Sequence, residues 1–170
     1  MSSAEQILRA DDLEATVRSL VDKSEITAGK YAFIRAADAG DVERLLTVFA
    51  EDCEVWNDPE GPPLVGKDEL RAWYTNRLAD VTASSHHLSN IEITFDDADT
   101  ATMYCYFLSW QRLRAYPEKP DRTRYARYVD RWSRRDGRWR QTSLRVLVAG
   151  EFHFPGRFRQ SEYHDWDRQL

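Results

Sequence analysis

Cysteine is nearly missing from this 170-residue chain: there are two, Cys53 and Cys105, in no spacing that suits a metal. No disulfide framework follows from them, and both read as small buried hydrophobes. No apolar run approaches the roughly 20 residues needed to cross a bilayer, and the N-terminus "MSSAEQILRADDLEA" lacks the basic-then-apolar layout of a secretion signal. The expectation is a cytoplasmic protein without membrane contact. Glycine and proline are also sparse, at seven and six residues, which excludes collagen-like and low-complexity classes. GxGxxG, the P-loop, GxSxG and HExxH are all missing, so common nucleotide, acyl-transfer and zinc-protease chemistries find no support, and no cofactor or metal is expected.

What the chain does have is aromatic residues, eight Tyr, seven Phe and six Trp, within a hydrophobic fraction of 42%. That is enough to fill the core of one domain or to line a cavity. The net charge of −5 hides an asymmetry: residues 1–111 carry 9 basic and 21 acidic side chains, whereas residues 112–145 carry 12 basic and 4 acidic. The stretch "RTRYARYVDRWSRRDGRWR" interleaves arginines and aromatics as a nucleic-acid platform would. An outward strand face paired with carboxylates from the acidic half explains it better, since the chain is acidic overall and has no nucleic-acid-binding motif. No nucleic-acid partner is expected.

Periodicity predicts helices first. "DDLEATVRSLVDK" places Leu13, Val17 and Leu20 on one stripe behind the N-terminal charges Asp11 and Asp12. Ser24 reads as the N-cap of a second helix with Ile26, Lys30, Phe33 and Ala37 near one stripe and Tyr31, Ile34 and Asp38 near another, stopping at Gly40. Asp41 should cap a third helix, "VERLLTVFAEDC", with Leu45, Val48 and Phe49 buried. A short strand "CEVWND", a turn-rich loop and a helix over 67–78 follow, the last with Leu70, Trp73, Tyr74 and Arg77 at helical spacing. Beyond residue 84 four strand-like runs rich in aromatic and β-branched residues succeed one another, and Asp136-Gly137 is a strong hairpin signal. Helices followed by a meander describe an α+β domain, in which a curved antiparallel sheet wraps helices. The expected layout is an N-terminal helical extension over 1–23, the domain over 24–153 and a polar tail over 154–170.

The segments "YAFIRAADAGDVERLLTVFAED", "GKDELRAWY", "SSHHLSNIEITFDDADTAT" and "YVDRWSRRDGRW", in that order, resemble the SnoaL-like branch of the NTF2-like superfamily over about residues 24–150. The resemblance implies a cone-shaped NTF2-like barrel with an apolar pocket. It also implies a homodimer or homotrimer through the open sheet face. Its members include dehydratases, a dehydrochlorinase, isomerases and polyketide cyclases, but also binding modules, so fold alone does not decide function.

Two histidines, His86 and His87, open "HHLSNIEITF". Strand parity puts His87 on the face of Ile91, Ile93 and Phe95, while the His-x-x-x-Asn spacing of the resembling dehydratases matches His86 and Asn90. A bulge between residues 86 and 90 would turn His86 inward. An imidazole suits proton abstraction near neutral pH and needs an orienting acceptor on its other nitrogen. The resemblance aligns the dehydrochlorinase's helix aspartate with Ala28 and a frequent tyrosine with Phe33, both departures. Asp38 matches the later aspartate of the bile-acid dehydratase and is implied as orienter or second acid–base group. Arg145, alone among apolar neighbours, is a candidate oxyanion stabiliser with Asp130 as its alternative partner. His87, Tyr31, Phe33, Trp56, Tyr104, Tyr106 and Tyr128 are candidate substrate contacts. The resulting expectation is cofactor-free acid–base chemistry, a dehydration, isomerisation or cyclisation, on a hydrophobic polycyclic or polyketide-like small molecule. The competing expectation is a binding or subunit-assembly module of the same fold.

Overall fold

A computed structural model describes residues 10–57, 61–115 and 117–154. Its order is α1 (Ala10–Ala39), α2 (Val42–Leu46), β1 (Phe49–Trp56), β2 (Leu64–Val65), α3 (Gly66–Leu78), β3 (Val81–Phe95), β4 (Thr100–Leu113), β5 (Asp121–Arg135) and β6 (Arg138–Phe154). The expected tail lies, from residue 155 on, outside the described residues.

The first two expected helices are one. Ser24 sits within an uninterrupted 30-residue helix, because no proline or left-handed residue precedes it to end the first segment. The stripe Leu13, Val17, Leu20 is not core either: these side chains are 52%, 50% and 62% exposed. The second half of α1 behaves as its periodicity predicts, burying Ile26, Lys30, Phe33 and Ala37. The helix stops at Gly40, whose φ of +69° suits glycine. There Asp41 N–H donates to Ala36 O at 2.9 Å and Gly40 N–H to Ala37 O at 3.2 Å, a Schellman closure. The third helix is much shorter than its pattern suggested. Asp41 caps it through Arg44 N–H at 3.0 Å, but it ends at Leu46 and the chain enters β1 at Phe49. Leu45, Val48 and Phe49 are nonetheless buried.

The six strands form one curved sheet in the order β2-β1-β6-β5-β4-β3. Pairing is antiparallel except between β1 and β6, and the sheet does not close on itself. Asp136 and Gly137 form the tight β5–β6 turn with φ of +52° and +73°, as the Asp-Gly pair predicts. The concave face packs on α1 and α3 around Met103, Phe107, Tyr128, Trp132 and Leu144. Both cysteines are buried and free, and burial pushes each thiol up to about 11.

Gly29 sets how closely α1 approaches the sheet. A Cβ there would lie 3.0 Å from two ring carbons of Trp132, itself only 1% exposed and unable to yield. Gly29→Val should destabilise the fold by about 1–3 kcal/mol through overpacking. Chemical denaturation checks this, and an unchanged midpoint would remove Trp132 as the constraint.

Candidate active site

One cavity of about 70 Å³ opens between α1, α3 and the concave sheet face. Its apolar wall comes from Phe33 and Ala37 on α1, Trp73, Tyr74 and Leu78 on α3, Phe107 on β4, and Leu144 and Val146 on β6. Ring contacts hold this wall together. Phe107 stacks on Tyr128 at 4.2 Å between centroids, and Phe33 meets both Tyr74 and Tyr128 edge-on at 6.3 and 6.2 Å. Burial raises the Tyr74 and Tyr128 hydroxyls above the usual phenol range, so both remain protonated donors.

His86 lines this cavity, and the reason is a break in β3. Its register against β4 shifts between Ser89 and Glu92, where Asn90 adopts a φ of +51°. The irregularity overlaps the far end of the expected window of 86–90 and has the expected effect. Ser84, His86 and Leu88 sit opposite Gln111, Ser109 and Phe107, and after the shift Ile93 and Phe95 sit opposite Met103 and Ala101. Both halves of β3 therefore point inward, on opposite sequence parities. His87 is exposed and contacts Ser85 Oγ at 3.1 Å, away from the cavity wall.

Asp38, in the last turn of α1, meets His86 across 48 residues. Its Oδ1 lies 2.5 Å from His86 Nδ1 and accepts from Ser84 Oγ at 2.7 Å, while Oδ2 accepts from the His86 backbone N–H at 3.0 Å. Burial opposes the Asp38 charge, but the His86 ring, the Ser84 hydroxyl and the backbone N–H together hold its carboxyl below the usual range. An ionised carboxylate only accepts, so Nδ1 carries the proton and Nε2 is left as the basic nitrogen. The side chains are 11% and 13% exposed, so the pair is sheltered without being sealed. A position near a helix C-terminus disfavours a carboxylate and favours an imidazolium, which strengthens the pairing. Ala28, where the dehydrochlorinase aspartate was aligned, is exposed; Asp38, not residue 28, carries the carboxylate that meets the histidine.

Several expected contacts lie elsewhere. Arg145 is exposed and stacks over the Trp56 ring at 4.3 Å, so it faces neither Asp130 nor the cavity. Parity explains this, since the inward residues of β6 are its neighbours Leu144 and Val146. Tyr104 and Tyr106 project from the outer sheet face, 50% and 43% exposed, and Tyr31 leaves α1 toward solvent at 42%. Phe33 and Tyr128 do line the cavity. The partner of Asp130 is Lys30, at 2.8 Å, both side chains fully buried.

Sequence reasoning missed the arginines. Arg122 and Arg124 were assigned to an outward face, yet they share the inward parity of Ala126, Tyr128 and Asp130 and line the cavity with Arg77. The signal was present: Arg122 and Arg124 are an even number of residues from the expected pocket residue Tyr128, and Arg127 and Arg131 are not. Asn57, just past β1, also lines the cavity and keeps a buried Nδ2 with no hydrogen-bond partner among the described residues. Among the described residues no three His, Cys, Asp or Glu side chains gather as a metal cluster, and no helix is long and apolar enough to cross a membrane.

A family profile described as a SnoaL-like domain matches residues 18–145. No curated protein matches the chain by sequence. Among solved structures, a Novosphingobium aromaticivorans protein provisionally named a scytalone dehydratase superposes with a TM-score of 0.75 at 26% identity, covering 84% of this chain and 93% of its own. Hexachlorocyclohexane dehydrochlorinase LinA-type3 from Novosphingobium barchaimii superposes with a TM-score of 0.76 at 18% identity, covering 86% and 99%. An NTF2-like protein with a cystatin-like fold, again from N. aromaticivorans, gives 0.65 at 23%, covering 84% and 92%. The last two likenesses speak to fold alone.

Proposed function

The chain belongs to the SnoaL-like family, and we propose that it is an acid–base enzyme working without a cofactor, a dehydratase, isomerase or cyclase acting on a hydrophobic ring-containing small molecule. The observation that carries this reading is the 2.5 Å contact between Asp38 and His86 at the wall of a cavity that has an aromatic and aliphatic side. His86 Nε2 takes a proton from a carbon beside a carbonyl or a leaving group. The C–H electron pair becomes an enolate or the new double bond, and the proton resides on an imidazolium that Asp38 stabilises. In an elimination that proton leaves with the departing group. In an isomerisation it returns to another carbon. The Tyr128 and Tyr74 hydroxyls and the Asn57 amide are available donors for the developing oxyanion. A cavity of about 70 Å³ takes the reacting end of such a substrate and leaves the remainder at the mouth.

Deuterium incorporation from heavy water into a panel of cyclic ketones and hydroxylated aromatics, followed by NMR, tests the proposal. Asp38→Asn should slow exchange by roughly 10²–10⁴-fold with ligand affinity retained, because the amide both loses the charge and permits the wrong imidazole tautomer. No exchange in any bound compound, or an unaffected Asp38→Asn protein, would reject it. The competing reading, a module without chemistry, draws its support from the outer sheet face, where Tyr104, Tyr106, Leu108 and Leu147 are exposed and suit a second copy of the chain.

A further inference from the structure

The cavity wall carries three guanidiniums and no carboxylate. Arg124 is already neutralised, its Nε and Nη2 donating to Glu151 Oε2 at 2.8 and 2.5 Å. Arg122 donates to the neutral Gln111 Oε1 and has no counter-ion among the described residues. Arg77, half-buried on α3, has neither a hydrogen bond nor an ion pair among the described residues. Burial and the neighbouring Arg124 charge push its guanidinium below the usual arginine range, with Glu151 and Asp80 pulling more weakly the other way.

Two uncompensated cations in a half-buried wall are unfavourable, and a bound anion relieves them. A second observation points the same way: the buried Asn57 Nδ2 in this wall is a donor with no acceptor among the described residues. Arg77, Arg122 and the Asn57 amide all present donors to the cavity, so the ligand atoms that meet them are acceptors. A carboxylate offers two coplanar oxygens matched to a guanidinium fork and suits so small a cavity.

We propose that the natural substrate bears a carboxylate, held by Arg77 and Arg122 at the cavity mouth, and that the Arg124–Glu151 pair positions these arginines without binding the ligand itself. The anchor fixes one end of the substrate so that a C–H bond in its apolar part faces His86. This second half rests on the acid–base reading above, whereas the anion site stands without it.

Calorimetry at low salt with benzoate and its neutral isostere benzamide separates the two. The intact chain should bind benzoate at least about tenfold more tightly than benzamide, with the difference shrinking as salt is added. Arg77→Gln and Arg122→Gln should each remove about tenfold of benzoate affinity and leave benzamide unchanged, and Arg77→Lys, which keeps the charge but not the fork, should fall between. His86→Ala should keep the benzoate preference. Equal affinities in the intact chain, unchanged benzoate binding in both Gln variants, or loss of the preference in His86→Ala would overturn the anion site. A tighter grip on phenyl phosphate than on benzoate would overturn the choice of carboxylate. Absence of deuterium exchange alongside an intact benzoate preference would reject the chemistry alone.

Discussion

His86→Ala should fold and bind ligand but lose turnover by roughly 10²–10⁴-fold, the usual contribution of a positioned base. Removing the ring takes away both the basic Nε2 and the donor that Asp38 depends on. The companion His87→Ala, which alters only an exposed side chain, should turn over normally. Added imidazole should recover part of the lost rate if the vacated space admits it. The same variant weakens a pH dependence. In the intact chain the depressed Asp38 pKa contributes stability that is present above its unfolded value of about 3.9 and is lost as pH falls through the lower folded value. Without the His86 ring the two largest of those opposing influences vanish, while the Ser84 hydroxyl and the backbone N–H remain, so the carboxyl moves up from its depressed value. The stability lost on acidification should shrink accordingly. Urea unfolding of both proteins at pH 4 and 7 reads the difference, and parallel pH profiles would contradict the pairing.

Lys30→Met should cost about 3–5 kcal/mol, because it strands the Asp130 carboxylate in a fully buried site. The two groups lie 2.8 Å apart at zero exposure, and Lys30 Nζ also sits 3.6 Å above the Tyr128 ring and 4.8 Å from that of Phe33. Both rings line the cavity, so loosening there should reach the site as well as the core. Burial already pushes the Asp130 carboxyl up against the pull of Lys30, and losing that pull pushes it further. A raised folded pKa favours the folded state in acid, so the variant should regain stability on acidification and lose it as pH rises. Lys30→Met combined with Asp130→Leu should recover most of the loss, since replacing a whole buried pair is far less damaging than breaking it. A double variant as unstable as the single one would locate the damage in packing and not in charge.

Much of the architecture was legible because it depends on local pattern. Gly40 as a stop, Asp41 as a cap, Asp136-Gly137 as a turn and four aromatic strands each follow from a few adjacent residues. The failures arose where a local signal competed with context. Ser24 can cap a helix, but nothing ends the helix before it, so the chain continues through it. The pattern after Asp41 suits a helix as well as a strand, and pairing of Phe49–Trp56 with β6 and β2 decides for the strand.

The residue types of the site were visible in the chain by itself: a histidine at the head of a strand, an aspartate ending a helix, aromatics to form a wall. Only the tertiary structure decided which of them meet. A single irregularity at Asn90 inverts the parity of β3, and its position depends on pairing with β4, which no short window contains. The same alternation, read from Tyr128, turns Arg122 and Arg124 inward and leaves Arg145 outside. Asp38 reaches His86, and Lys30 reaches Asp130, because a curved sheet wraps one helix. Local sequence sets the periodicity of each element, while contacts between residues 48 or 100 apart exist only once those elements are packed.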